Sequence, residues 1–405
     1  MKKRICLPFI FLLGLFFSTV TAQVSPLQTF PIVYRGHIYL EGEAENNKGN
    51  FLFDTGADNL YYDSTFYAGH SFYYSRIAQA RLPGAGESVQ TVPVILDTVD
   101  FSFGNCRYRT SIVPVLQLKP VVGDFGDGII GMDYFYPYVM GIDYQNEYIT
   151  LYRSIDEIDL TSYSKLPLLH RDNRYYIPLT LQLNPDIRIE GDFLLDIGSG
   201  GSVTLTSHAA GMYKLPESIH PKVAFYTKYG GIGGESSSYT FIADSLYFGT
   251  YLFHKISMDF SVDKAGALSS DQYTGILGNQ IVDHFDLLID FRNHNLYVKP
   301  NETFGQPFGV SKMGFSFIDR SQTKNAWIVT GFYKGTPAEK SGLQIDDRII
   351  SVNGRNVAEI PYKEQGKFFK GLDELHLTVS RDGKNVEITF PLVSILETDT
   401  ESRAE

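Results

Sequence analysis

Apolar and polar residues alternate in short runs along much of the chain, with glycine, proline and asparagine turns between the runs. Tyr34 to Leu40 and Val89 to Phe103 carry this period of two, which puts every second side chain on one face of a strand. No long stretch repeats with the 3.6-residue period of an amphipathic helix, so the pattern predicts a mainly β body with few, short helices. Two runs break the alternation in the same way. Phe51-Leu52-Phe53 leads into Asp54 and Phe193-Leu194-Leu195 into Asp196, each Asp followed by one spacer, a glycine and a small residue. An apolar run that ends in a carboxylate sets charge where burial is expensive. One Asp-x-Gly turn is commonplace; two at matched positions predict a carboxylate pair between two lobes.

The match extends well past the aspartates. Gly128-Ile129-Ile130-Gly131 follows Asp54, and Gly275-Ile276-Leu277-Gly278 follows Asp196. Ile142-Asp143-Tyr144 is echoed by Ile289-Asp290-Phe291, and Phe103-Gly104 by Phe248-Gly249. Gly84-Ala85-Gly86-Glu87-Ser88 likewise matches Gly233-Gly234-Glu235-Ser236. These correspondences keep their order with a drift of a few residues, so a duplicated pair of lobes decides the expected architecture. The 27 Tyr and 29 Phe against one Trp favour strands further.

The first residues read as an export signal: Lys2, Lys3 and Arg4, an apolar core from Ile5 to Phe17, and Val20-Thr21-Ala22 before Gln23. That core is shorter than the roughly 20 residues that span a bilayer, so a mature protein without a membrane span is expected. Removing the signal leaves 32 basic against 46 acidic side chains, a formal −14. This balance argues against nucleic acid as a partner. Cys106 would remain without a second cysteine, hence without an internal disulfide, and is expected to be a small buried apolar residue. The nine histidines are scattered and no His-Glu-x-x-His occurs, so neither a metal nor another cofactor is expected.

Asp54-Thr55-Gly56-Ala57 with Gly128-Ile129-Ile130-Gly131 resembles the signature of aspartic proteases of the pepsin and retropepsin superfamily. The resemblance covers roughly residues 28 to 300. It implies two β-barrel-like lobes, 28–160 and 161–300, with Asp54 and Asp196 as a catalytic dyad across a pseudo-two-fold axis. It also implies that Thr55, Gly56, Gly198 and Ser199 shape the catalytic loops and that Gly128 and Gly275 support them from behind. Glycine-rich tips with Gly84 and Gly86 in lobe one, and Gly231 and Gly233 in lobe two, lie where the superfamily carries flaps. Two carboxylates about 3 Å apart share one proton, so one can activate water while the other protonates the carbonyl oxygen. The second motif departs from the pattern: Ile197 stands where the superfamily prefers Thr or Ser, and has no hydroxyl to knit the loops. Ser199 has no hydroxyl counterpart at Ala57, which favours Asp196 as the ionised base and Asp54 as the acid.

After a linker at 301–307, residues 308–395 resemble a PDZ domain. Lys312-Met313-Gly314-Phe315 looks like its carboxylate-binding loop, and Gly335-Thr336-Pro337-Ala338 and Asp347-Arg348-Ile349-Ile350 like its helix-turn and strand motifs. Residues 396–405 read as a disordered tail. The resemblances together imply an exported aspartic endopeptidase, periplasmic or at the surface of a bacterium. Its expected partners are a peptide or protein substrate and a protein C-terminus or extended segment held by the PDZ domain. A catalytically inactive peptide-binding scaffold is the alternative, and an envelope-assembly partner working through its PDZ module a third.

Overall fold

The computed structural model describes residues 26–397; the expected signal segment and most of the expected tail lie outside them. Among the described residues strands dominate, and the longest helix is the eight-residue Tyr362–Phe369. The alternation read from 34 to 40 is interrupted. Strands Gln28–Tyr34 and Ile38–Ala44 form a hairpin whose turn needs Gly36 at φ +73°.

The two lobes are built alike. In lobe one, strand Asn47–Asp54 runs parallel to Gly128–Gly131, with Gly128 opposite Phe51 and Gly131 opposite Asp54. In lobe two, strand Ile187–Leu195 runs parallel to Gly275–Leu277, with Gly275 opposite Phe193. Each glycine strand also pairs antiparallel with the strand that leaves the Asp loop, Leu60–Asp63 or Val203–Leu205. Both glycines are required by close packing. A Cβ on Gly128 would sit 2.4 Å from the Tyr61 carbonyl oxygen, and one on Gly275 2.6 Å from that of Thr204.

The lobes meet through the repeated Ile-Asp strands themselves. Val139–Asp143 pairs antiparallel with Phe285–Asp290, Met140 facing Ile289. One continuous apolar core results, holding Phe53, Ile130, Phe193, Ile197 and Leu277 together. The PDZ domain has its own core around Trp327, Leu375 and Leu377. It is nonetheless fastened to the lobes. Strand Lys222–Thr227 of lobe two pairs with Ala326–Tyr333, Phe225 facing Tyr333, so the lobe-two sheet runs on into the PDZ sheet. Asp124 of lobe one meets Arg320 at 2.5 Å, with side chains 3% and 11% exposed. The linker is anchored by Phe304 and Phe308, both packed on Phe253. Leu396, read as tail, is buried beside Val223 and Ile395. Cys106, expected to be buried, is only half-buried and its thiol donates to Gln28 Oε1.

Candidate active site

Asp54 and Asp196 each end an apolar strand and begin the same turn. The Ala57 N–H donates to Asp54 O at 3.3 Å, and the Ser199 N–H to Asp196 O at 3.1 Å. The strand behind each loop then repeats the pattern: the Met132 N–H reaches Ala57 O, and the Asn279 N–H reaches Ser199 O. The two loops therefore face each other with their carboxyls in direct side-chain interaction. Glycines make that approach possible. A Cβ on Gly198 would lie 2.4 Å from Asp54 Cγ, and one on Gly56 3.0 Å from Asp54 Oδ1 and 3.4 Å from Asp196 Cγ.

Thr55 ties the loops together unaided. Its hydroxyl donates to Leu195 O at 2.6 Å and accepts from the Ile197 N–H at 3.0 Å. Ile197 cannot return the favour; it is fully buried in the shared core. Asn279, overlooked in the sequence, anchors the second loop from the other side. Its amide nitrogen donates to Ile197 O at 2.6 Å and to Gly36 O at 3.0 Å, while Tyr144 donates to its Oδ1 at 3.0 Å. The available clue was a polar residue directly after the Gly275–Gly278 segment, where lobe one has Met132.

Burial pushes both carboxyls above the usual carboxylate range, Asp196 much the further because the neighbouring Asp54 charge adds to it. Asp54 receives the Gly56 N–H at 2.6 Å and also feels the Arg174 guanidinium, both of which favour its charged form. Asp196 Oδ1 is buried with no hydrogen-bond partner. The Ser199 hydroxyl accepts from the Gly201 N–H instead of reaching Asp196. The Gly198 and Ser199 amides also favour a charged Asp196, so the two carboxyls share one proton as a pair, with Asp196 pushed the further towards its protonated form.

A carboxyl whose folded value lies above its unfolded one, about 4, favours the fold while protonated and opposes it once ionised. That stabilisation is full below pH 4 and drains away as pH climbs through the folded value. Asp196→Asn is therefore expected to melt like the wild type near pH 4 and at a higher temperature at pH 7. Thermal unfolding of both proteins across that range checks it, and a variant less stable at neutral pH overturns it.

The glycine-rich tips of the two lobes meet each other. The Gly86 N–H donates to Ile232 O at 3.0 Å, the Ser88 N–H to Gly233 O at 2.8 Å and the Glu87 N–H to Glu235 O at 3.2 Å. Gly84 O accepts from the Ala267 N–H at 3.1 Å. Gly231 and Gly233 adopt φ +123° and +113°, which side-chain-bearing residues rarely reach. Beneath the tips lies an apolar cluster of Tyr39, Val92, Val94, Leu116 and Ile129, with Ile232 against it. In the PDZ domain, Gly314 takes φ +74° and packs so tightly on Thr336 that a Cβ would come within 2.9 Å of its hydroxyl. Met313 and Phe315 flank it, far along the chain from the dyad.

An aspartyl protease family model matches residues 40–134, and a PDZ domain model matches residues 304–380. The chain thus carries an aspartyl protease domain and a PDZ domain. No curated protein matches it. Among solved structures, basic 7S globulin from soybean is similar to it with a TM-score of 0.41 and 7% identity, over 69% of this chain and 96% of that one.

Proposed function

We propose that the protein is an exported aspartic endopeptidase that hydrolyses peptide bonds with a water activated between Asp54 and Asp196. The observation that carries this reading is the meeting of two symmetry-related, half-buried carboxyls, one accepting the Gly56 N–H and the other without a partner at its buried Oδ1. Asp54 takes a proton from water as it attacks the scissile carbonyl, and Asp196 gives its proton to the carbonyl oxygen. The flap tips and the apolar cluster beneath them grip an extended chain and exclude solvent. The PDZ domain holds a peptide segment or chain end by adding it to a strand edge. Peptide cleavage by the signal-free protein, residues 23–405, tests the reading on an unfolded protein substrate from pH 3 to 8. Because burial raises both carboxyls, the acid limb of kcat/KM is expected above pH 4, later than in a dyad titrating near 1.5 and 4.7. Full activity at pH 3 contradicts the burial argument. No cleavage at any pH, with peptide binding intact, favours the scaffold instead.

A further inference from the structure

The PDZ resemblance places the peptide groove between strand Phe315–Arg320 and helix Tyr362–Phe369. Gln365 Nε2 donates to Asp319 Oδ2 at 3.0 Å near one end of this groove, and the Phe317 and Phe369 rings meet at 6.3 Å farther along. Helix and strand therefore run in opposite directions, with Phe315 and Phe369 towards the Gly314 loop and Asp319 and Tyr362 at the far end. The far end does not open to solvent alone. It enters a cavity of about 460 Å³ whose walls are Arg35, His37 and Tyr39 of lobe one and Phe317, Asp319 and Tyr362 of the PDZ domain.

On the lobe-one wall of that cavity, His37 also packs against the loop that carries Asp196. His37 Cε1 lies 3.1 Å from where a Cβ of Gly200 would stand, two residues beyond the Gly198 that touches Asp54. Tyr39 is part of the apolar cluster under the flap tips. Arg35 forms the post between the two sites. Its guanidinium stacks on Phe125 at 4.6 Å and on Tyr362 at 4.3 Å, and its nearest carboxylate is Asp319 at 3.8 Å. Among the described residues the outer edge of strand Phe315–Arg320 has no strand partner, but at Asp319 its carbonyl is taken by the Asp124 N–H at 3.0 Å. A peptide paired to that edge must leave it there, and the space it leaves into is the cavity beside His37.

We propose that the PDZ groove and the catalytic cleft form one continuous channel for a single substrate chain, whose free C-terminus is held at Met313–Gly314–Phe315 while its upstream residues pass Arg35 and His37 to the dyad. This rests on the peptidase reading of the same dyad and adds what the enzyme selects: unfolded chains with an accessible C-terminus, cut at a distance counted from that end. A peptide antiparallel to the free part of the strand, Phe315 to Ile318, covers about 13 Å before it leaves the edge at Asp319, so shorter tails bind without being cut. Exposed Lys312 beside the loop favours a terminal carboxylate, and Arg35 at the junction favours the polar backbone of a passing chain. Hydrolysis would release the anchored tail with a new amino terminus and leave the remainder with a new carboxylate.

The test uses the signal-free Asp54→Asn protein and a twelve-residue peptide ending in a free apolar residue, with a benzophenone placed eight residues before the end. Photolabelling is expected at 35–39 and 198–201, and at least tenfold less with the C-terminally amidated peptide. Labelling confined to the PDZ domain, or equal labelling by the amidated twin, overturns the channel. In the wild type, residues inserted upstream of the cut are expected to leave its distance from the C-terminus unchanged. Cleavage at sites unrelated to the terminus overturns the channel and leaves the peptidase reading standing. Labelling at the catalytic loops without any cleavage by the wild type supports the channel and overturns the peptidase.

Discussion

Replacing either Asp54 or Asp196 with Asn is expected to lower kcat for peptide hydrolysis at least about a thousandfold, because each change removes one half of the acid–base exchange. The two failures differ in kind. Asp54→Asn removes the proposed base, whose charged form the Gly56 N–H and Arg174 favour. Asp196→Asn removes the proton that must reach the carbonyl oxygen. Asn matches Asp in shape, so both variants should fold, and on the proposed binding by flaps and groove KM should change far less than kcat. Steady-state kinetics on one unfolded substrate check this for both. A variant that keeps a tenth of the wild-type kcat would remove that aspartate from the chemistry.

The next largest effect is expected from Gly198→Ala. The added methyl would have to occupy a point 2.4 Å from Asp54 Cγ and 2.8 Å from its Oδ2. Neither loop can yield freely, because Thr55 and Asn279 tie both into the shared core. The carboxyls must then move apart, and a displacement near 1 Å at the reacting groups costs on the order of a hundredfold in rate. Stability should fall too, by about 1–3 kcal/mol for an overpacked site. Measuring kcat/KM beside a denaturation curve separates the two effects. Unchanged activity would mean that the carboxyls do not have to stay this close. Gly201→Ala is the matched control: its Cβ would meet nothing nearer than 3.7 Å.

Much of this was legible in the sequence wherever local packing enforces a residue type. Gly128 and Gly275 could be paired from the chain alone because each must lie against a neighbouring backbone carbonyl, and no other residue fits. The Ile142-Asp143-Tyr144 and Ile289-Asp290-Phe291 repeats mark strands that meet each other, so duplication and interface share one signal. Asn279 was not legible. Its partners Ile197 and Gly36 are 82 and 243 residues away in the chain, and no periodicity records such distances. The expected contact of Ser199 with Asp196 was not legible for a related reason. The direction of the Ser199 hydroxyl depends on the Gly201 amide and the turn around it, not on residue type. Arg35 likewise looks like an ordinary turn cation until Phe125 and Tyr362 close on it from two domains.

The pairing of Lys222–Thr227 with Ala326–Tyr333 has a consequence for how this chain tolerates rearrangement. Without its C-terminal quarter, lobe two would present a naked row of amides and carbonyls at the rim of its sheet, along with the apolar surface of Val223. Such rims recruit other chains and seed aggregates. A truncation at residue 300 is thus unlike removing a bead from a string, because it uncovers a surface that solubility requires to be capped. Grafting a different binding module in that place would succeed only if the newcomer brought a strand of matching length and register.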